Sequence, residues 1–170
     1  TRSSSGMFII RKDLFAQGVT TLEALAAWKR PDGRKPVDSV SSLGGTNPVW
    51  ASYYMEAMEL DQKVTWIGTG NVDTMMGSLK TKQVDVLVSS LSLLNDSKEQ
   101  GWGTLLFDGT DETIWNKYIG GKVPVTSHST LQATIDTDPS KIHAFVTALW
   151  RATRLSKQHS PEAFYEATHD

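Results

Sequence analysis

Short apolar runs alternate along the chain with longer stretches in which apolar residues recur at helical spacing. Met7 to Ile10 is the first run, closed by Arg11, Lys12 and Asp13. Val37 to Leu43, Val64 to Ile67, Val84 to Val88 and Thr104 to Phe107 follow as predicted strands, with a weaker one from Lys122 to Ser127. Thr20, Thr21, Leu22 and Glu23 have the spacing of a capping box with Thr20 as cap, which opens a short helix through Leu22, Leu25 and Ala26 toward Trp28. Lys29 to Pro36 is a polar turn around Pro31, Asp32 and Gly33. From Pro48 a helix aligns Val49, Tyr53, Ala57 and Leu60 on one stripe, and a later helix turns Val72, Met75, Met76 and Leu79 inward. Asp138 and Pro139 open the clearest helix, whose buried face carries Ile142, Phe145, Val146 and Leu149. Ser160 and Pro161 repeat the start signal for a last helix with Phe164 and Tyr165. Strands alternating with single helices predict an α/β fold with a parallel sheet and right-handed crossovers.

The segment from Val40 to Trp50 adds candidate chemistry to this pattern. An apolar run stops at Gly44 and Gly45, and Thr46, Asn47 and Pro48 open a helix. Asn47 suits the N-cap and Pro48 the first helical position. Paired glycines leave amide hydrogens uncovered beside the positive end of the helix dipole, a place for an anion. Two further turns end predicted strands in the same way: Gly68, Thr69, Gly70 and Asn71, then Ser89 and Ser90. In open α/β sheets the carboxyl ends of the strands are the usual ligand edge. The candidate ligand-binding residues are therefore Gly44, Gly45, Thr46, Asn47, Trp50, Gly70, Asn71, Ser89 and Ser90. Glycine and asparagine after strands are also ordinary turn residues, and it is the three turns in register that favour a ligand. They offer hydroxyls, amides and bare N–H groups but no carboxylate pair, nucleophile with base, or metal-ligand cluster. That inventory holds a small polar or anionic group rather than transforming it.

Composition narrows the picture a little further. A length of 170 residues suits one domain with a real core. The formal net charge of -2 gives no reason to expect nucleic acid as a partner. No apolar segment approaches the length of a bilayer span. With no cysteine in the chain, disulfides, thiolate catalysis and cysteine metal sites are excluded. The four histidines, His128, His143, His159 and His169, are scattered without ligand spacing, and no cofactor is implied. Asp85 inside the most apolar run reads as a cap for a neighbouring helix or loop. A start at Thr1 and Arg2 reads as a processed or trimmed product.

Phe8 to Asp13 followed by Gly18 to Leu25 resembles the opening passage of periplasmic solute-binding proteins of ABC importers, closest to the nitrate, sulfonate, taurine and thiamine-precursor group. The Gly44, Gly45, Thr46 turn matches their glycine–serine loop. Ser78 to Asp85 resembles their segment ending in Gly-x-Val-Asp-Ala, with Lys82 where the family usually has glycine. Asp138 to Leu149 is similar to their C-terminal Asn-Pro helix. The resemblance implies a type II periplasmic-binding fold lacking its N-terminal lobe. Residues 13–117 would form the second lobe, and 1–12 with 118–170 the crossing strands and C-terminal helices of an incomplete first lobe. It implies a non-enzymatic, periplasmic or membrane-tethered clamshell with a small-molecule ligand, a membrane permease and the missing lobe or a partner chain as its partners. Gly44 to Asn47 would grip an anionic headgroup, with Asn71, Ser89 and Ser90 adding contacts. Two alternatives remain: an effector-sensing domain of a transcriptional regulator, and an enzyme similar to a thiamine-pyrimidine synthase, whose cysteine chemistry this chain lacks.

Overall fold

The computed structural model describes residues 5–121, 127–160 and 163. The chain divides into two compact units, Thr1–Val125 and Thr126–Asp170. In the first unit the elements run β1 (Ser5–Arg11), α1 (Lys12–Ala16), α2 (Leu22–Ala27), β2 (Val37–Val40), α3 (Thr46–Ala57), a 3-10 turn at Asp61–Lys63, β3 (Thr65–Gly68), α4 (Val72–Lys80), β4 (Val86–Ser90), α5 (Leu91–Glu99), β5 (Gly103–Asp108) and α6 (Glu112–Tyr118). One five-stranded sheet has the order β3-β2-β4-β1-β5.

The architecture is α/β, but the sheet is mixed rather than parallel. β2 runs parallel to β3 and β4, whereas β1 is inserted antiparallel between β4 and β5. Its Phe8, Ile9 and Ile10 are fully buried, which a strand covered on both faces requires. Alternation along the strands sends Phe8, Ile10, Val40, Val86 and Val88 to one face, under Leu14, Leu25, Ala51 and Met55 of α1, α2 and α3. Ile9, Val37 and Leu87 go to the other, under Met75, Leu79, Leu93 and Leu94 of α4 and α5. Helices on both faces make this unit three layers deep.

Several local expectations are corrected. The cap of α2 is Thr21, not Thr20; its hydroxyl oxygen accepts from the Ala24 N–H at 3.1 Å. In α3 the cap is Gly45, so Asn47 and Pro48 lie inside the first turn, where proline's missing N–H is still harmless. The buried face of α3 is Pro48, Ala51, Tyr54 and Met55, and Val49 and Tyr53 are exposed. Two nearly equal apolar stripes run along this helix, and the Tyr54 hydroxyl selects between them by donating to the Gly109 carbonyl at 2.6 Å. Val72 likewise opens α4 from an exposed position, while Met75, Met76 and Leu79 are buried as the spacing implies.

Tyr54 and Gly109 fasten α3 to the end of β5. A β-carbon on Gly109 would lie 2.6 Å from the Tyr54 ring and 2.7 Å from the Gly6 carbonyl oxygen. Gly109→Ala is therefore expected to destabilise the unit by about 1–3 kcal/mol, the usual range for overpacking. Urea unfolding checks this, and an unchanged midpoint would mean that β1 and β5 part without cost.

The second unit contains α7 (Gln132–Thr137) and α8 (Pro139–Gln158). Asp138 caps α8 as expected, accepting from the Lys141 N–H at 3.1 Å. The expected buried face of α8 is not covered: Phe145, Val146 and Leu149 are exposed, and no α8 residue is buried. Amphipathic spacing marks a face able to pack, and among the described residues of this unit it meets the His128 ring, 5.4 Å from that of Phe145, and the short α7. Residues 122–126 of the weak strand expected from Lys122 to Ser127, and residues 164 and 165 of the expected last helix, lie outside the described residues.

Candidate functional site

The three turns stand together. β3, β2 and β4 are neighbours, so their carboxyl ends share one sheet edge, with Val40 opposite Gly68 across β2 and β3. The Thr69 N–H donates to the Val40 carbonyl at 2.9 Å and the Gly70 N–H to the Ser41 carbonyl at 3.0 Å, which ties the second turn to the first. The Ser39 and Thr69 hydroxyls are hydrogen-bonded beneath them. A β-carbon on Gly68 would meet the backbone of Ser42 and Leu43 at 3.7 and 3.6 Å, ordinary contact distances that show how closely the two turns lie.

At this edge the chain also changes direction. From β2 it leaves through α3 on one face of the sheet, and from β4 through α5 on the other. The crevice between such strands is where open α/β sheets place ligands. Gly45 precedes α3 and Ser90 precedes α5 as caps, and among the described residues neither helix has a side-chain cap hydrogen bond. Their first-turn N–H groups, including those of Thr46 and Asn47, thus remain as donors at the positive ends of two helix dipoles.

The candidate residues differ in what they can still offer. Gly44 and Thr46 are exposed at the mouth, and Gly45 and Asn47 are half-buried. Asn71 is exposed, but its side-chain oxygen already caps α4 by accepting from the Thr74 N–H at 3.0 Å, leaving its amide NH2 free to donate. Gly70, at φ 86°, holds the left-handed conformation that admits this cap. The Ser90 hydroxyl pairs with Ser92 at 2.9 Å. Ser89 is buried within β4, opposite Met7, and stands back from the mouth. Trp50 points toward α6 and packs on the Trp115 ring at 5.1 Å between centroids; its indole N–H is buried without an acceptor among the described residues.

Sequence reasoning passed over the serines beside the turns: Ser41, Ser42 and Ser92. It also passed over the apolar rim. Leu43, Val49, Val72 and Leu91, all exposed, stand on the turns or the opening turns of α3, α4 and α5. Position was the missed signal, since each lies within a few residues of a turn already singled out. No lysine, arginine or histidine occurs from Ser41 to Trp50, from Gly68 to Asn71 or from Ser89 to Ser92, and Asp73 is exposed in the first turn of α4. Among the described residues no three histidine, aspartate or glutamate side chains are grouped to hold a metal ion.

Asp85 is corrected from helix or loop cap to strand anchor. Its carboxylate, fully buried, accepts from Arg11 Nη1 at 2.9 Å and the Val37 N–H at 2.9 Å, and lies 3.2 Å from Arg30 Nε. This cluster is at the opposite end of β2 and β4 from the turns.

No protein-family model matches the chain, and no curated protein matches it. A solved structure of a protein from Bordetella bronchiseptica is similar over 98% of this chain, with a TM-score of 0.66 and 16% identity. The chain spans 50% of the length of that structure. An ancestral cyclohexadienyl dehydratase is similar over 61% of this chain and 38% of its own, at 21% identity and a TM-score of 0.41, too slight to bear on the fold. At these identities the first likeness concerns fold alone. A mixed five-stranded sheet with helices on both faces, followed by further helices, is compatible with one lobe and the appended helices of a periplasmic-binding-protein-like fold.

Proposed function

We propose that the first unit binds a small polar or singly charged anionic solute in the crevice at the carboxyl ends of β2 and β4. The observation that carries this reading is the pair of uncapped helices, α3 and α5, beginning on opposite faces of the sheet at adjacent strands. Their free amide hydrogens, with the Thr46 and Ser90 hydroxyls and the Asn71 amide, form a donor-rich cradle. Without a basic side chain in the turns, and with Asp73 nearby, the cradle favours one negative charge over two. A sulfonate or a nitrate-like anion meets that description. The apolar rim would receive the organic part of such a solute or the wall that closes over it.

On this reading the chain acts as the solute-binding component, or part of one, of an ABC-type importer. It works in the periplasm or tethered outside the membrane and passes its solute to a membrane permease. The solute leaves unchanged, because the crevice presents donors without a nucleophile and its base. Ligand sites bury most of their ligand's surface, and one sheet edge gives only one wall. The other wall would come from a second lobe, in keeping with a chain that spans 50% of the structure it resembles.

Gly45→Asp tests the cradle cleanly. The native φ of −84° suits any residue and aspartate is a favoured N-cap, while its β-carbon would stand 3.3 Å from the Ser42 carbonyl oxygen, which must give by a few tenths of an ångström, so the melting temperature is read beside the affinity. The new carboxylate would take the first-turn N–H groups and repel an anion. Titration calorimetry with methanesulfonate and nitrate should show affinity reduced by about tenfold or more, the loss of a charge-assisted hydrogen bond. Equal affinity in both proteins at an unchanged or higher melting temperature would remove the cradle from consideration.

A further inference from the structure

The end of the first unit opposite the crevice carries the reverse chemistry. There α1 begins, α4 ends, and the turn from α5 into β5 passes Gly101 and Trp102. Two clefts share Arg11 and Lys82 as walls: one of about 530 Å3 beside Arg30 and Arg34, and one of about 180 Å3 beside Lys12, Lys80 and Trp102. Around them stand six cationic side chains and three carboxylates, Asp13, Asp32 and Asp85, in a chain whose formal net charge is -2.

The larger cleft is already satisfied. Arg11 is held by Asp85 and Asp13, Arg30 by Asp85 and the carbonyls of Lys82 and Gln83, and Arg34 by Asp32. In the smaller cleft Arg11 and Lys82 are both paired to Asp13, which lines it too, Lys82 at 2.9 Å. Lys12 and Lys80 are exposed and have no carboxylate partner among the described residues; Lys80 Nζ lies 4.6 Å from the centre of the Trp102 ring.

Lysines near the end of a helix commonly offset its dipole, and that explains Lys80. It does not explain Lys12, the first residue of α1, where a cation opposes the dipole. Nor does it explain Lys82, whose φ of 62° is the left-handed conformation that glycine ordinarily supplies just past a helix. Lys12 is thus kept at the cleft where the helix dipole disfavours a cation, and Lys82, paired to Asp13, where the backbone ordinarily takes glycine.

We propose that this 180 Å3 cleft docks a phosphate group, with Lys12 and Lys80 as its contacts, Lys82 alongside and the Trp102 ring as an apolar wall. Lysine binds phosphate as a flexible point charge, and the cleft is smaller than a drug-sized pocket, as suits a lone headgroup. The phosphate belongs either to a free phosphate compound or to a lipid headgroup at an anionic membrane surface. The proposal is independent of the crevice.

The test compares the wild-type chain, the double variant Lys12→Gln with Lys80→Gln, and the control Lys117→Gln on α6. Lys12 and Lys80 are exposed and form no ion pair among the described residues, so circular dichroism should confirm an intact fold in the variant. Inorganic phosphate is titrated by amide NMR, and vesicles of phosphatidylglycerol and of phosphatidylcholine are used in co-sedimentation. Phosphate shifting the amides around Lys80 and Trp102, or retention on phosphatidylglycerol vesicles alone, weakened about tenfold in the double variant and not in the control, is the expected result. Phosphate binding without vesicle binding identifies a free phosphate compound, and the converse identifies a membrane. Binding unaffected by the double variant overturns the proposal, as does an absence of binding to either probe. Capture of polyglutamate with no response to phosphate or vesicles also overturns it, in favour of an acidic protein surface.

Discussion

Asp38→Asn is expected to stabilise the protein, and by more at higher pH. Asp38 is the second residue of β2, in register with Trp66 on one side and Val86 on the other, and on the face that buries Val40. Its side chain is fully buried, and among the described residues neither carboxyl oxygen has a hydrogen-bond partner. Burial pushes this carboxyl well above the ordinary range, and the negative charge of Asp85 adds to the shift. The folded chain therefore keeps a proton that the unfolded chain releases near pH 4. Stability is fully present below that point and is lost as pH rises toward the native value, at about 1.4 kcal/mol per pH unit. Asparagine has nearly the same shape and cannot ionise. Urea unfolding at about pH 4 and about pH 8 should give similar midpoints at the acid value and a higher midpoint for the variant at the alkaline one. Parallel pH profiles for the two proteins would show that Asp38 finds a partner or water.

Asp38 also marks where sequence reasoning stopped. The run from Val37 to Leu43 was legible as a strand, but nothing local distinguishes a carboxylate in a half-exposed strand from one in a strand covered on both faces. That difference depends on β4 and β3 flanking β2, a long-range fact. The same limit explains the mixed sheet. Met7 to Ile10 signals a strand through its apolar residues, while its direction depends on partners about eighty and a hundred residues away, as the Ile9 pairings with Leu87 and Leu105 show. The turns were legible because their chemistry is local: glycine, asparagine and serine punctuate the ends of apolar runs. Their adjacency followed from the alternation of strand and helix, and the structure has them on one edge. Cap positions slipped by one or two residues at Thr21 and Gly45, where neighbouring residues compete for the same role. The stripe on α3 was misassigned because Tyr54 and Tyr53 look alike in sequence, and only the Gly109 carbonyl separates them.

Removing the Asp85 carboxylate is expected to cost the most stability of any single change considered. It lies one residue before β4 and joins three separated segments: Arg11 at the end of β1, Arg30 in the loop after α2, and the first N–H of β2 at Val37. Burial pushes the carboxyl up, against the pull of the Val37 N–H and the two guanidiniums. A buried charge cluster of this kind adds little net stability when complete, because desolvation offsets its attraction. Breaking it from one side is different, since the remaining charges keep the desolvation cost without compensation. Asp85→Asn should lose about 3 kcal/mol, the lower end of the usual range. Arg11 would retain Asp13, and Arg30 would retain the Lys82 and Gln83 carbonyls. The control is a triple replacement, Arg11→Met, Arg30→Met and Asp85→Leu, which removes the charges together and should cost less than the single change. Urea midpoints for the two variants and the wild type decide the matter. If the triple replacement is the more damaging, the cluster is a net source of stability and the cost assigned to Asp85→Asn has the wrong origin. If the single change is the more damaging, the three segments are held by mutual compensation of charge, and Asp85 is required because Arg11 and Arg30 are already there.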